Sequence, residues 1–121
     1  MNFLVVGLGG GLGAAARYGI GLLPWRGSFP ILTLFINLLG AAVIGFLTGF
    51  AAQRQIGPRS LLFWKTGVCG GFTTFSTFSL EAMQLLSAGE RGLAALYILL
   101  SLAGCLLGVW LGYTLSRSLA G

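Results

Sequence analysis

The sequence predicts an all-α membrane protein of four spans, the third of them broken inside the membrane. Three observations carry that reading: apolar runs of span length, very few charges, and a stretch rich in glycine and hydroxyls set inside one of the runs. Of 121 residues, 56% are hydrophobic and 7% charged, against roughly a quarter charged in soluble domains. A spanning helix needs about 20 apolar residues at ~1.5 Å rise each, and four stretches qualify.

The first span covers about residues 2–23 and ends at Pro24-Trp25-Arg26-Gly27, a turn with an interfacial aromatic. Its Ala14-Ala15-Ala16 has the small residues of a signal cleavage site. A basic leader is missing, however, and Arg17-Tyr18 continues into more apolar sequence, so retention is expected. The second span covers about 29–52 and leads into Gln53-Arg54-Gln55-Ile56-Gly57-Pro58-Arg59. The third covers about 61–87, interrupted at Gly70-Gly71, and the fourth about 91–116. The connections are short, so residues 1–121 read as one transmembrane domain.

Four spans place both termini on one side. With them lie Arg54, Arg59, Lys65 and Arg117; opposite lie Arg17, Arg26 and Arg91. That is almost no positive-inside bias. Either a few residues such as Arg54 and Arg59 decide orientation locally, or copies insert both ways and pair antiparallel. Glycines recur at small-xxx-small spacing: Gly9 with Gly13, Gly45 with Gly49, Gly67 with Gly71, then Gly104, Gly108 and Gly112. Such spacing lets helix backbones approach closely. The long ladder on the fourth helix favours an interface beyond the chain as well, and a homodimer is expected.

The segment from Gly67 to Ser79 carries most of the chemistry. Unpaired backbone or hydroxyl groups facing hydrocarbon cost several kcal/mol, so irregular backbone survives there only when protein buries it or it lines a polar cavity. A stop at Gly70-Gly71 would free carbonyls that attract a cation and amides that attract an anion. Thr73, Thr74, Ser76 and Thr77 are suitable for capping the restart. Phe72, Phe75 and Phe78 form one row at spacing three, and Thr73, Ser76 and Ser79 the next. Ring edges carry positive potential and hydroxyls donate hydrogen bonds without net charge, a pairing that suits a partly desolvated small anion. Packing or lipid contact would use the same phenylalanines.

Asn37 is an amide within the second span, with Thr33 one turn before it; it can be interhelical glue or a pore donor. Tyr97 and Ser101 share a face of the fourth helix, with Cys105 next. Glu81 follows Thr77 by one turn, and Arg17 reads as a snorkelling anchor or as a charge that draws anions. Histidine is absent and both cysteines lie in apolar runs, so no zinc, haem or iron–sulfur ligand set is expected. There is no nucleotide loop and no nucleophile with a base, and the basic residues are scattered singly. These features argue against an enzyme and against nucleic-acid binding.

Gly9 to Tyr18, Thr33 to Gly40 and, most specifically, Gly67 to Phe78 resemble the small bacterial fluoride channels, once described as camphor-resistance or chromosome-condensation proteins. The resemblance covers the whole chain. It implies an antiparallel, dual-topology homodimer of four-helix subunits in the bacterial cytoplasmic membrane, with two pores passing fluoride passively. It also implies a central structural sodium held by backbone carbonyls of Gly70 and Thr73. By motif position Phe75 and Phe78 would be the pore phenylalanines and Asn37 a donor, with Ser76, Thr33, Tyr97 and Ser101 along the path. Thr77, Glu81 and Arg17 would extend the polar route. The family often continues the fourth-helix row with hydroxyls, whereas this chain has Cys105 and Val109. A dual-topology multidrug or cation exporter using Glu81 is the alternative.

Overall fold

A computed structural model describes residues 1–54 and 56–120; Gln55, within the expected second connection, and Gly121 lie outside the described residues. Every regular element among those residues is helical. Helix α1 spans Asn2–Gly21 and α2 Ile31–Gln53. A helical rod over residues 58–72 follows without interruption. It comprises α3 (Pro58–Leu61), a π-helical segment (Leu62–Cys69) and the short α4 (Gly70–Phe72). After two extended residues come α5 (Phe75–Ser87) and α6 (Arg91–Ala120). Helices α1, α2 and α6 are each long and apolar enough to cross a membrane. Residues 58–87, in two pieces, form the fourth rod. Helical segments coincide with the four expected stretches to within a few residues at each end, while the π segment has no counterpart in the sequence reading.

Local chemistry sets the ends. Pro58 occupies the first turn of α3, where its missing N–H costs nothing. Gly89, at φ 81°, closes α5: its N–H bonds Leu86 O at 3.1 Å and Glu90 N–H bonds Leu85 O at 2.8 Å. This is a Schellman closure, and the left-handed backbone there favours glycine.

Glycine faces join the rods in two parallel pairs. A Cβ on Gly9 would lie 3.0 Å from Gly67 Cα, and one on Gly13 would run into the Val68 carbonyl. Advancing along α1 therefore advances along residues 58–72. In the second pair Gly45 meets Val109, Gly49 meets Tyr113 and Ser116, and Gly104, Gly108 and Gly112 lie against Leu38, Ala41 and Ala42. Lipid offers no hydrophobic drive between helices, so close van der Waals contact must hold them. The fourth-helix ladder is thus spent on α2 within the chain. It gives no support to an interface with another molecule, contrary to expectation.

The third contact region is side-chain packing. Leu34, Phe78, Ala82, Leu85, Ala94 and Tyr97 form a buried cluster that ties α5 to α2 and α6. Outward faces stay apolar, with Phe3, Leu8 and Leu12 on α1 and Leu99, Leu106 and Trp110 on α6 exposed. A soluble surface would not carry so large an apolar patch; a bilayer accepts it.

Candidate functional site

The site is built around the break, and the break is not at the glycine pair. Gly70 stays right-handed helical (φ −63°, ψ −38°), whereas Thr73 (φ −82°, ψ 157°) and Thr74 (φ −149°, ψ 117°) are extended. Gly71 serves contact instead: a Cβ there would meet the Gly10 carbonyl of α1. What ends the rod is Asn37. Thr74 N–H donates to Asn37 Oδ1 at 2.9 Å, and Asn37 Nδ2 donates to Thr74 O at 3.1 Å. One amide side chain takes both backbone groups of a residue, as a neighbouring strand would. Gly40, three residues on from Asn37, leaves room for the turn, since a Cβ there would overlap the Thr73 methyl and lie 3.4 Å from the Phe72 ring.

Thr73 N–H and Thr73 Oγ1 both still donate to Cys69 O, at 3.1 and 3.0 Å. In an unbroken helix Thr74 N–H would bond Gly70 O and Phe75 N–H would bond Gly71 O. The first donor has gone to Asn37. The Gly71 carbonyl instead accepts from Arg17 Nε at 3.2 Å, a contact that neither sequence reading of Arg17 anticipated. Gly70 O and Thr73 O have no hydrogen-bond partner among the described residues.

The restart is capped by a hydroxyl cluster, as expected. Thr74 is the N-cap of α5, its Oγ1 accepting from Thr77 N–H at 3.2 Å. It also donates to Thr77 Oγ1 at 3.1 Å and lies 3.4 Å from Ser76 Oγ. Ser79 turns back to Phe75 O at 2.9 Å. Because the break falls at residues 73–74, Phe72 and Thr73 precede the new helix. The three-member rows do not form; Phe75 with Phe78 and Ser76 with Ser79 remain.

Phe75 and Phe78 differ sharply. Phe78 is 8% exposed and Phe75 73%, with ring centroids 5.5 Å apart. Phe78 lies 5.1 Å from the Tyr97 ring, and Phe29 meets that ring edge-on at 5.7 Å. Tyr97 is fully buried and donates to Glu81 Oε1 at 3.0 Å. Glu81 is therefore half-buried and engaged at the far side of the aromatic cluster. Buried Thr33 flanks the same phenol.

An open groove of about 440 Å³ runs along the break between α2 and α6. Of the residues singled out from sequence, it brings together Asn37, Gly70, Thr73, Phe75, Phe78 and Ser101, with Cys105 and Val109 continuing the α6 wall. Thr33, Ser76, Thr77, Tyr97, Glu81 and Arg17 do not line it. Ser101 Oγ is buried and without a hydrogen-bond partner among the described residues. The thiols Cys69 and Cys105 are free and both border the groove. Thr74 and Gly40 are lining residues that sequence reasoning did not single out as such. The available signal was the Asn-x-x-Gly spacing within Thr33–Gly40. Its lining residues include Ser101, Asn37, Gly70, Thr73 and the two phenylalanines, with no charged side chain among them.

This arrangement defines a multi-pass helical membrane protein built around one interrupted rod. The chain belongs to the CrcB-like, camphor-resistance family, which matches it over residues 4–113. Relatives extend over nearly all of it. A "Fluoride-specific ion channel FluC" of Methylobacterium sp. (strain 4-46) is 47% identical over 97% of each chain. A protein of the same name from Methylobacterium nodulans is 50% identical over 90% of each. One from Chlorobium chlorochromatii is 44% identical over 99% of this chain and 95% of its own.

Proposed function

We propose that the protein is a fluoride channel of the bacterial cytoplasmic membrane, passing the anion passively along the groove at the break. Its relatives carry that name, and channels are not enzymes. The observation that carries the assignment to this site is the groove's lining: Ser101, Asn37 and the Phe75–Phe78 pair supply neutral donors and ring edges without a cationic trap. Fluoride is small and tightly hydrated, so passage needs replacement donors at short spacing and binding weak enough to release. Phe75 is the exposed member of the pair and meets the ion; Phe78, packed on Tyr97, fixes its neighbour's position.

An antiparallel homodimer is part of the proposal. Gly70 O, Thr73 O and the groove's mouth cannot face hydrocarbon without a large penalty. A second copy laid against this face would bury them, and near-balanced flanking charge permits opposite insertion. Two such grooves would make two pores. The same two carbonyls fit a sodium ion: they are neutral hard oxygens, Gly70 O freed because Asn37 takes the Thr74 N–H and Thr73 O because the Thr74 hydroxyl takes the Thr77 N–H. Two ligands are too few for such a cation, so the partner's matching pair would complete the set. Sodium bound there would supply positive charge between the two half-helix ends.

The exporter alternative needs an unengaged carboxylate in the binding cavity. Glu81 accepts from Tyr97 and lies outside the groove lining, so that reading is not favoured. Purified protein in liposomes, followed with fluoride and chloride electrodes, tests the proposal. Rapid fluoride release without chloride release is expected; no fluoride release from folded protein would overturn it.

A further inference from the structure

We propose that Arg17 is a positioning residue that acts as a built-in cation for the broken rod. It neutralises the carbonyl end of residues 58–72 so that a bound metal need satisfy only part of that end. Three observations carry this inference. Arg17 is half-buried and turned inward, its Nε 3.2 Å from Gly71 O. The acceptor is the carbonyl whose helical donor, Phe75 N–H, has been lost at the break. Its neighbour Gly70 O has lost its donor to Asn37 and stays open.

A half-helix ending inside a membrane leaves a partial negative charge at its C-terminus, and little solvent is present to screen it. A guanidinium fixed there is the cheapest remedy the chain itself can carry, because its planar donors hold one carbonyl while its charge acts on the others. No acidic residue of α1 or of residues 58–72 competes for it, since neither stretch contains Asp or Glu. Arg17 takes Gly71 O and leaves Gly70 O and Thr73 O without a hydrogen-bond partner among the described residues. It therefore divides the carbonyls between an internal and an external cation.

The sign of the effect distinguishes this role from packing. Removing the internal cation should make the fold lean harder on an external one. The experiment measures Tm of the purified full-length protein in sodium chloride and in choline chloride at equal ionic strength. It compares the parent with Arg17→Met, Arg17→Gln and Arg17→Lys.

In choline, Arg17→Met is expected to lose about 5 °C or more, and sodium should recover more of that loss than it adds to the parent. Arg17→Gln keeps a donor without the charge. It serves if the methionine variant does not fold, and should show the same enlarged sodium increment. Arg17→Lys restores charge and should return the increment to the parent's size. Where the parent responds to sodium, an increment no larger in the neutral variants than in the parent would overturn the inference.

The sodium half of the inference rests on the carbonyl site proposed above, and the readout keeps the two apart. A parent indifferent to sodium would sink that site alone. Arg17 would then be judged by whether Arg17→Lys holds the Tm that Arg17→Met loses, and equal losses in both would overturn its role. Fluoride enters none of these measurements, so failure of the channel assignment would leave them intact.

Discussion

Residues 58–72 and residues 75–87 are two pieces of one rod, held in place by different physics. The first piece is fixed by backbone contact: Gly9 and Gly13 of α1 press on Gly67 and Val68, and Gly71 on Gly10, at distances that exclude a Cβ. The second is fixed by side chains, with Phe78, Ala82 and Leu85 buried against α2 and α6 and a threonine cap at its start. Contact of the first kind tolerates almost no substitution but carries no chemistry. Contact of the second kind leaves one face of α5 available, and Phe75 occupies it. The site sits at the seam, where carbonyls without hydrogen-bond partners meet an adaptable side-chain surface.

Substitutions can break this contrast or sharpen it. Gly13→Val should have the largest effect. Its side chain would enter the Val68 carbonyl and lie against Phe72 N, and with backbone on both sides the cost is on the order of 3 kcal/mol or more. Size-exclusion chromatography should recover little folded protein. Phe78→Ala removes a buried ring and should cost about 3–5 kcal/mol, while Phe75→Ala leaves the Tm near the parent's. Equal losses at the two phenylalanines would refute the division of roles.

Asn37→Ala should come next, at about 2–3 kcal/mol, because both backbone groups of Thr74 lose their partner together. Hydrogen exchange at the Thr74 amide should rise with it. Gly11→Ala is the smallest change. Open space surrounds that position, so the gain in helix propensity should stabilise α1 by up to about 1 kcal/mol. A loss there would place an unseen neighbour against α1.

Hydropathy made the spans legible, since it depends on composition over a long window. The break was legible as to segment and wrong as to residue. Gly70-Gly71 has the lowest local helix propensity, but Gly71 is needed where the rod touches α1. The stop is imposed from Asn37, 37 residues away in sequence. Arg17 and Gly71 are similarly separated by 54 positions, beyond any local rule. The π segment over Leu62–Cys69 leaves no periodic trace in an apolar run. Phe75 and Phe78 are identical in the sequence pattern, and only packing against Tyr97 tells them apart.

The open face of the second half-helix is the proposed path of the ion. Initial fluoride efflux from liposomes bearing the parent or Phe75→Ala, at matched protein and with Tm recorded, tests it most directly. A fall on the order of tenfold or more in flux at parental stability is expected, because a ring edge at the groove is lost. Parental flux in the folded variant would contradict it and move the path away from the groove.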